Sequence, residues 1–296
     1  MKKYFITAII ALLSLIMVLV TSSLHDNTSA RTINQIYVFG DSLSDTGNMY
    51  RATNRNYPPN PPYFQGRYSN GQVWVEYLAS KLTLDAKQSA NFAFGGAMTG
   101  KVSNNGIPGL LGQVENFTKN QLNANDSGLY VIWAGANDYI YGVADSTAPV
   151  INITQTVESL LKAGAKKILV ADLPDLGDLP ATKSSASSQS LSAVTKAHNQ
   201  GLAKSLSQLQ QKFDSKSQII ELDISSLYKD AISNPSKYGF TNVTSACLNQ
   251  GATCSNPNQF LFWDGIHPTT AAHQIIAEKA FTALNTQTSQ LQLGAV

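Results

Sequence analysis

Ile36-Tyr37-Val38-Phe39-Gly40-Asp41-Ser42-Leu43-Ser44-Asp45-Thr46-Gly47-Asn48 is the stretch from which the fold can be read. Four apolar, β-favouring residues run into Gly40, Asp41 and Ser42, the pattern of a buried strand that ends in a tight turn and presents a hydroxyl. An Asp-Ser pair after a strand has two readings, a helix N-cap or a nucleophile. A serine hydroxyl is a weak nucleophile at its ordinary pKa, so the second reading requires a base, an orienting acid and oxyanion donors elsewhere in the chain.

Further apolar segments follow at regular intervals. Asn91-Phe92-Ala93-Phe94-Gly95-Gly96-Ala97 reads as a short strand closing on a glycine pair. Leu129 to Ala134 is a second strongly apolar strand, ending in Gly135-Ala136-Asn137-Asp138, and Ile168 to Pro174 is a third. Ile219 to Asp223 reads as one more. Helical patterns lie between them, over Val73 to Leu82, from Gly109 to about Leu122, from Val150 to Ala163, and through Leu191, Leu202, Leu206, Leu209 and Phe213. Strand and helix alternating in this way give an α/β fold, a helix-flanked parallel sheet whose site lies at the C-terminal edge of its strands.

The chain has 296 residues, of which 43% are hydrophobic and 14% charged, enough for one sizeable core. A formal net charge of +2, with no Lys/Arg run interleaved with aromatics, argues against nucleic acid as a partner. Lys2 and Lys3 precede an apolar run from Phe5 to Val20 that gives way to Thr21, Ser22 and Ser23, the layout of a bacterial secretory signal peptide. Residues 1–30 are therefore expected to be a leader, cut after Ser23 or Ala30, and residues 31–296 a single exported domain, secreted or periplasmic. An uncleaved membrane anchor is the competing reading, although the run is short for a span. In an exported protein the nearby Cys247 and Cys254 are expected to pair, closing a small loop. Two thiolates without a nearby His supply too few ligands for a metal, and the sequence calls for no cofactor.

Histidine is scarce enough for elimination. His25 falls in or beside the leader, and His198 and His273 sit within helical patterns where a solvated face is the ordinary expectation. That leaves His267, in Trp263-Asp264-Gly265-Ile266-His267-Pro268, where an apolar run ends in an Asp and a His three apart. A carboxylate so placed can hydrogen-bond Nδ1 and leave Nε2 free to take a serine proton. Thr269 or Thr270 can cap the helix that follows. Near the nucleophile, the stretch from Asn54 to Gly66 holds Pro58, Pro59, Pro61 and Pro62 among aromatics, which precludes a helix and leaves a surface loop or a substrate contact.

Taken in order, Gly40-Asp41-Ser42-Leu43, Gly96 in its Asn-x-x-x-Gly-Gly context, Gly135-Ala136-Asn137-Asp138 and Asp264-Gly265-Ile266-His267 resemble the four blocks of the GDSL or SGNH hydrolases. The resemblance implies a flavodoxin-like SGNH-hydrolase three-layer sandwich with a central parallel sheet. It implies Ser42 as nucleophile, His267 as base and Asp264 as its orienting acid, with Ser42 N–H, Gly96 N–H and the Asn137 side chain as oxyanion hole. The serine turn is Gly-x-Ser-x-Ser, unlike the Gly-x-Ser-x-Gly elbow of α/β-hydrolases. The longer Phe39 to Asn48 block, Asn91 to Ala97 and Leu173-Pro174-Asp175-Leu176-Gly177 resemble the secreted bacterial branch of phospholipases A, lysophospholipases A and glycerophospholipid:cholesterol acyltransferases. From that likeness follow a phospholipid or lysophospholipid substrate, cholesterol as an alternative acyl acceptor, and transient contact with a membrane surface. Acetylated sugars, aryl esters and a binding role without catalysis are the alternatives. The Pro-rich loop and the cysteine loop are expected to flank the site and control acyl entry.

Overall fold

The apolar run before Ser42 is strand β1 (Gln35–Gly40), with β2 (Ser89–Asn91) on one side and β3 (Gly128–Trp133) on the other. Strands β4 (Lys167–Ala171) and β5 (Gln218–Leu222) complete a five-stranded sheet of order β2-β1-β3-β4-β5, parallel throughout. The computed structural model describes residues 33–104, 106–120, 124–213 and 217–293. The expected signal peptide lies outside the described residues, and no helix among them is long and apolar enough to cross a membrane.

Helices α1 (Asn48–Ala52), α2 (Trp74–Lys81), α3 (Leu110–Asn120), α4 (Ala136–Ile140), α5 (Thr147–Lys162), α6 (Ser188–Lys212), α7 (Ile224–Ser233) and α8 (Thr270–Leu293) fill the connections. The central strands are apolar on both faces beyond their first residues, Gln35 of β1 and Lys167 of β4, because both faces are covered. Ile36 and Val38 of β1, with Leu129, Val131 and Trp133 of β3, pack on one side with Trp74 and Leu78 of α2, Leu227 of α7 and Ile276 of α8. Tyr37, Phe39, Tyr130 and Ile132 face the other side, against Leu110 and Phe117 of α3, Leu160 of α5 and Leu206 of α6. Each such side chain taken fully from water contributes roughly 1.5–3 kcal/mol before entropy is counted. The result is an α/β/α three-layer sandwich.

The strand order carries the functional consequence. The chain passes from β1 outward to β2, then crosses back over β1 to reach β3 and continues the other way. At such a reversal the connections leave on opposite faces and open a crevice at the C-terminal ends of the strands. The turns after β1, β2 and β3 all border it.

Two boundaries differ from the sequence expectation. The strand read over Asn91 to Ala97 is regular only over Ser89–Asn91: Phe92 N–H and Phe94 N–H still donate to Val38 O and Gly40 O of β1 at 2.8 and 3.1 Å, but the Asn91 side chain, with Oδ1 accepting from Ala93 N–H at 2.9 Å and Nδ2 donating to Ser44 O at 2.7 Å, interrupts the regular pairing. Helix α5 begins at Thr147, before the expected Val150, with Pro149 in the first turn, where its missing N–H costs nothing. The polar excursion after Tyr238 is more ordered than its composition suggests. It holds β6 (Asn242–Ala246), paired with β9 (Phe260–Phe262), and a hairpin of β7 (Leu248–Asn249) and β8 (Ala252–Thr253) closed by the Cys247–Cys254 disulfide.

Gly40 shows why the end of β1 tolerates little change. A Cβ there would lie 2.1 Å from the carbonyl oxygen of Trp133 on β3. The Gln113 side chain of α3 closes the ladder at the same point, accepting from Gly40 N–H and donating to Gly40 O, both at 2.9 Å. Gly40→Ala is therefore expected to destabilise the protein by about 2–4 kcal/mol, since the clash is with backbone and must be relieved by parting β1 from β3. Urea denaturation of the variant beside the wild type measures this, and a midpoint within error of the wild type would contradict it.

Candidate active site

Ser42 stands two residues beyond β1 in a turn built by its neighbours. Asp41 O accepts from Ser44 N–H and Asp45 N–H at 3.1 and 3.0 Å, and Asp41 Oδ1 accepts from Leu43 N–H at 3.0 Å. The buried Asp45 carboxylate then gathers four backbone donors, Gly47 N–H at 2.7 Å, Asn48 N–H at 2.6 Å, Met49 N–H at 3.1 Å and Gly95 N–H at 2.9 Å. The first three cap α1; the fourth ties the β2 turn to the serine turn. A buried charge is tolerated where its lone pairs are satisfied in this way.

The histidine arrives from the other end of the chain. Strand β9 delivers Asp264, whose Oδ1 accepts from Ile266 N–H at 2.8 Å and His267 N–H at 2.7 Å, folding the segment into a turn that Trp263 N–H closes on His267 O at 2.7 Å. Beyond it, Ser69 Oγ donates to Pro268 O at 2.9 Å and Asn70 Oδ1 accepts from Thr270 N–H at 2.8 Å. Thr269 caps α8, its Oγ1 accepting from Ala272 N–H at 3.2 Å. Held at both ends, His267 places Nδ1 2.7 Å from Asp264 Oδ2 and Nε2 2.8 Å from Ser42 Oγ. The structure thus brings together three side chains that span more than 220 positions of sequence.

The expected oxyanion donors stand on the turns that follow β1, β2 and β3. Gly95 N–H is committed to Asp45, whereas neither Ser42 N–H nor Gly96 N–H donates within the described residues. Gly96 has φ +80°, and a Cβ there would come no nearer than 3.9 Å to Tyr141 Oη and 4.0 Å to Ile107 Cδ1, so the left-handed backbone, not lack of room, calls for glycine. Asn137, in the first turn of α4, gives one amide hydrogen to Ala97 O at 3.0 Å, which fixes the amide and leaves its second hydrogen for a ligand. Its neighbour Asp138 anchors the loop after Gly96 by accepting from Thr99 N–H at 3.0 Å and Thr99 Oγ1 at 2.7 Å.

Burial sets the electrostatics. Burial alone would lower the basicity of His267, but the charge of Asp264 and the hydrogen bond between them outweigh it and raise its pKa. Burial would likewise raise Asp264, and the His267 charge with the hydrogen bonds from His267 and Ile266 carries it well below the usual carboxylate range. Asp41, only 1% exposed, is pushed by burial to about 7. A hydroxyl in contact with a base that is itself held by an acid can run acyl transfer through a tetrahedral intermediate where N–H donors receive the oxyanion. Among the described residues no group of three or more His, Cys, Asp or Glu side chains could hold a metal ion.

Residues 36–280 match the sequence profile of the GDSL-like lipase/acylhydrolases. The chain belongs to that family. It is 29% identical to a phosphatidylcholine-sterol acyltransferase of Aeromonas hydrophila, an alignment covering 97% of this chain and 98% of the relative. It is 30% identical to a thermolabile hemolysin of Vibrio parahaemolyticus over 86% of this chain and 64% of that one. An inhibitor-bound aryl esterase of M. smegmatis shares the fold, with a TM-score of 0.52 at 16% identity over 86% of this chain and 99% of the other. As a GDSL acylhydrolase, the protein is a carboxylic ester hydrolase.

Two histidines depart from expectation. His198 and His273, expected on solvated faces, are both fully buried. His198 continues the buried stripe of α6 through Leu191, Thr195, Leu202, Leu206 and Leu209, and His273 stands one turn before Ala277 on the buried face of α8. The 3.6-residue spacing was present in the sequence; the polarity of imidazole hid it. His198 Nδ1 pairs with Tyr139 Oη of α4 at 2.7 Å, and its ring lies under Gly135, so it braces the turn that carries Asn137. Other groups had weaker signals. Tyr68 is buried with its ring 5.1 Å from that of His267, and it fills the space a Cβ at Gly95 would take. The cysteine loop hangs beside the acid, with Cys247 N–H and Leu248 N–H donating to Phe262 O and Trp263 O at 3.1 and 2.6 Å.

Burial depresses the His273 pKa to about 3, with the charge of His267 acting in the same direction. The unfolded chain takes up this proton below about pH 6.5 and the folded protein does not, so stability is full above that pH and declines as pH falls toward 3. His273→Met removes this cost. Between pH 8 and pH 5 the variant is expected to lose about 2 kcal/mol less stability than the wild type in paired urea titrations. Equal losses in the two proteins would show that His273 is not held neutral by the fold.

Proposed function

We propose that this esterase is an exported lipid acylhydrolase that cleaves acyl esters of lysophospholipids and phospholipids through an acyl-enzyme on Ser42. The observation that carries the mechanism is the unbroken Ser42–His267–Asp264 chain, with contacts of 2.8 and 2.7 Å. As Ser42 Oγ bonds to the ester carbonyl carbon, its proton passes to His267 Nε2. Asp264 stabilises the imidazolium that results. Charge develops on the carbonyl oxygen, where Ser42 N–H, Gly96 N–H and the Asn137 amide receive it. Collapse of the intermediate expels the glycerol oxygen, which takes the proton from His267. A water then gives its proton to the same nitrogen and attacks the acyl carbon, releasing fatty acid and restoring Ser42.

The lipid class is supported by the family's acylhydrolase character and by the near full-length likeness to a phosphatidylcholine-sterol acyltransferase. The rim fits an amphiphile: Tyr57 and Tyr141 are 52% and 54% exposed, with Tyr141 Oη close to Gly96. The same likeness favours a second outcome from the same acyl-enzyme, in which a sterol hydroxyl takes the place of water. The two differ only in which acceptor reaches the acyl carbon first. Transient contact with a membrane surface belongs to either outcome.

A product profile tests both parts. The protein and its Ser42→Ala and Asn137→Ala variants would each be given lysophosphatidylcholine, diacyl phosphatidylcholine and cholesterol. Fatty acid released mainly from the lysolipid is expected, lowered about 10⁴-fold or more by Ser42→Ala and about 10²–10³-fold by Asn137→Ala. Substantial cholesteryl ester would assign the acyltransferase outcome. Undiminished turnover in Ser42→Ala would overturn the acyl-enzyme, and turnover of short-chain esters alone would overturn the lipid assignment.

A further inference from the structure

The carboxylate of Asp264 has a partner that does not come from its own loop. Tyr63, in the Pro-rich loop, donates its phenolic O–H to Asp264 Oδ2 at 2.7 Å, the same oxygen that lies 2.7 Å from His267 Nδ1. Among the described residues it is the only side chain outside the 264–267 turn that donates to this carboxylate. Its ring is set edge-on to Trp263 and Tyr68, with centroids at 6.4 and 6.3 Å. Burial, then the negative charge of Asp264, hold the Tyr63 hydroxyl protonated, so it can act toward the carboxylate only as a donor.

The division of labour between the two carboxylate oxygens is informative. Backbone N–H groups of Ile266 and His267 hold Oδ1. Oδ2 is shared between the phenol and the imidazole, whose Nδ1 lies 2.7 Å from Oδ2 and 3.0 Å from Oδ1. A donor that bonds a carboxylate draws off part of its charge and lowers its pull on a neighbouring proton. The phenol therefore competes with His267 Nδ1–H for the nearer of the two oxygens that the imidazole reaches.

We propose that Tyr63 is a positioning residue of the hydrolysis reaction: it holds Asp264 Oδ2 and sets how strongly that carboxylate acts on His267. The proposal rests on the reading of Ser42, His267 and Asp264 as the catalytic triad. By tempering Asp264, Tyr63 keeps His267 neutral, and so able to accept the Ser42 proton, down to a lower pH than an undiluted carboxylate would allow. It also ties the pH range in which the triad works to the seating of the Pro-rich loop. The other titratable groups acting on His267 are Asp41 from the turn after β1 and His273 from α8, while Tyr57 acts on Asp264 and Tyr68 contributes its ring. None of these donates to Oδ2.

The test is the pH profile of kcat/KM for p-nitrophenyl butyrate, measured on the full chain and on Tyr63→Phe, which keeps the ring and removes the donor. The acid limb is expected to move up by about 0.5 pH unit, lowering activity on that limb about threefold, with the alkaline plateau within twofold of the wild type. A role confined to packing the loop would lower the whole profile and leave the limb where it is. A limb that stays put or moves down overturns the proposal. Asp264→Asn separates this from the reading beneath it. If Asp264→Asn sharply reduces activity, and Tyr63→Phe changes nothing further in that background, Tyr63 acts through Asp264. If Asp264→Asn keeps full activity and the wild-type limb, the triad reading itself falls. If Asp264→Asn is crippled while Tyr63→Phe leaves the limb unmoved, only the role of Tyr63 falls.

Discussion

The Asp264 carboxylate is the point on which the candidate site hangs. A buried negative charge must be met by donors or be neutralised, and here it is met by two backbone N–H groups, an imidazole and a phenol. Meeting that requirement folds residues 264–267 into a turn, and the turn aims His267 at Ser42. The local shape of the loop and the electrostatics of the base therefore share one cause. The segments around it are arranged to keep that group in place, with β9 and the disulfide hairpin on one side and the 63–70 segment on the other.

A second buried carboxylate does the same for the opposite wall. Asp45 caps α1 and holds Gly95 N–H, while the next N–H, that of Gly96, donates to no group among the described residues. Because β1 and β3 approach so closely at Gly40 and Trp133, the Ser42 and Asn137 turns rise side by side at the point where the strand order reverses. The two walls are held by different carboxylates and meet at the contact between Ser42 and His267 and across Tyr68, whose ring lies beside both His267 and Gly95. Preorganisation of this kind places donors before charge develops, which is where electrostatic stabilisation is most effective.

Much of this was legible along the chain. The unbroken apolar runs at 36–39 and 129–134 announce strands covered on both faces, and the polar residues just past them mark the edge that carries the site. His267 could be found by elimination because so few histidines compete with it. The elimination reached its residue by a partly mistaken route, since His198 and His273 are core residues. Their spacing with Leu202 and Ala277 was the better guide, and it was outweighed by the ordinary preference of histidine for solvent. Tyr63 stood in a loop read as a surface feature, and nothing in Pro61-Pro62-Tyr63-Phe64 indicates that its hydroxyl turns back to a residue two hundred positions away.

By itself the sequence determined the strands of the central sheet, their helical crossovers and the chemical types gathered at their ends, because these depend on periodicity and on residues close together in the chain. Tertiary structure alone decided which donor each carboxylate took, which glycine N–H stayed free and which histidines were sealed from water. Those outcomes depend on distances between segments that the chain brings together only after the sheet has closed. A hydrogen bond rewards a few tenths of an ångström, and that accuracy comes from the packing of both faces of the sheet, not from any one stretch of sequence.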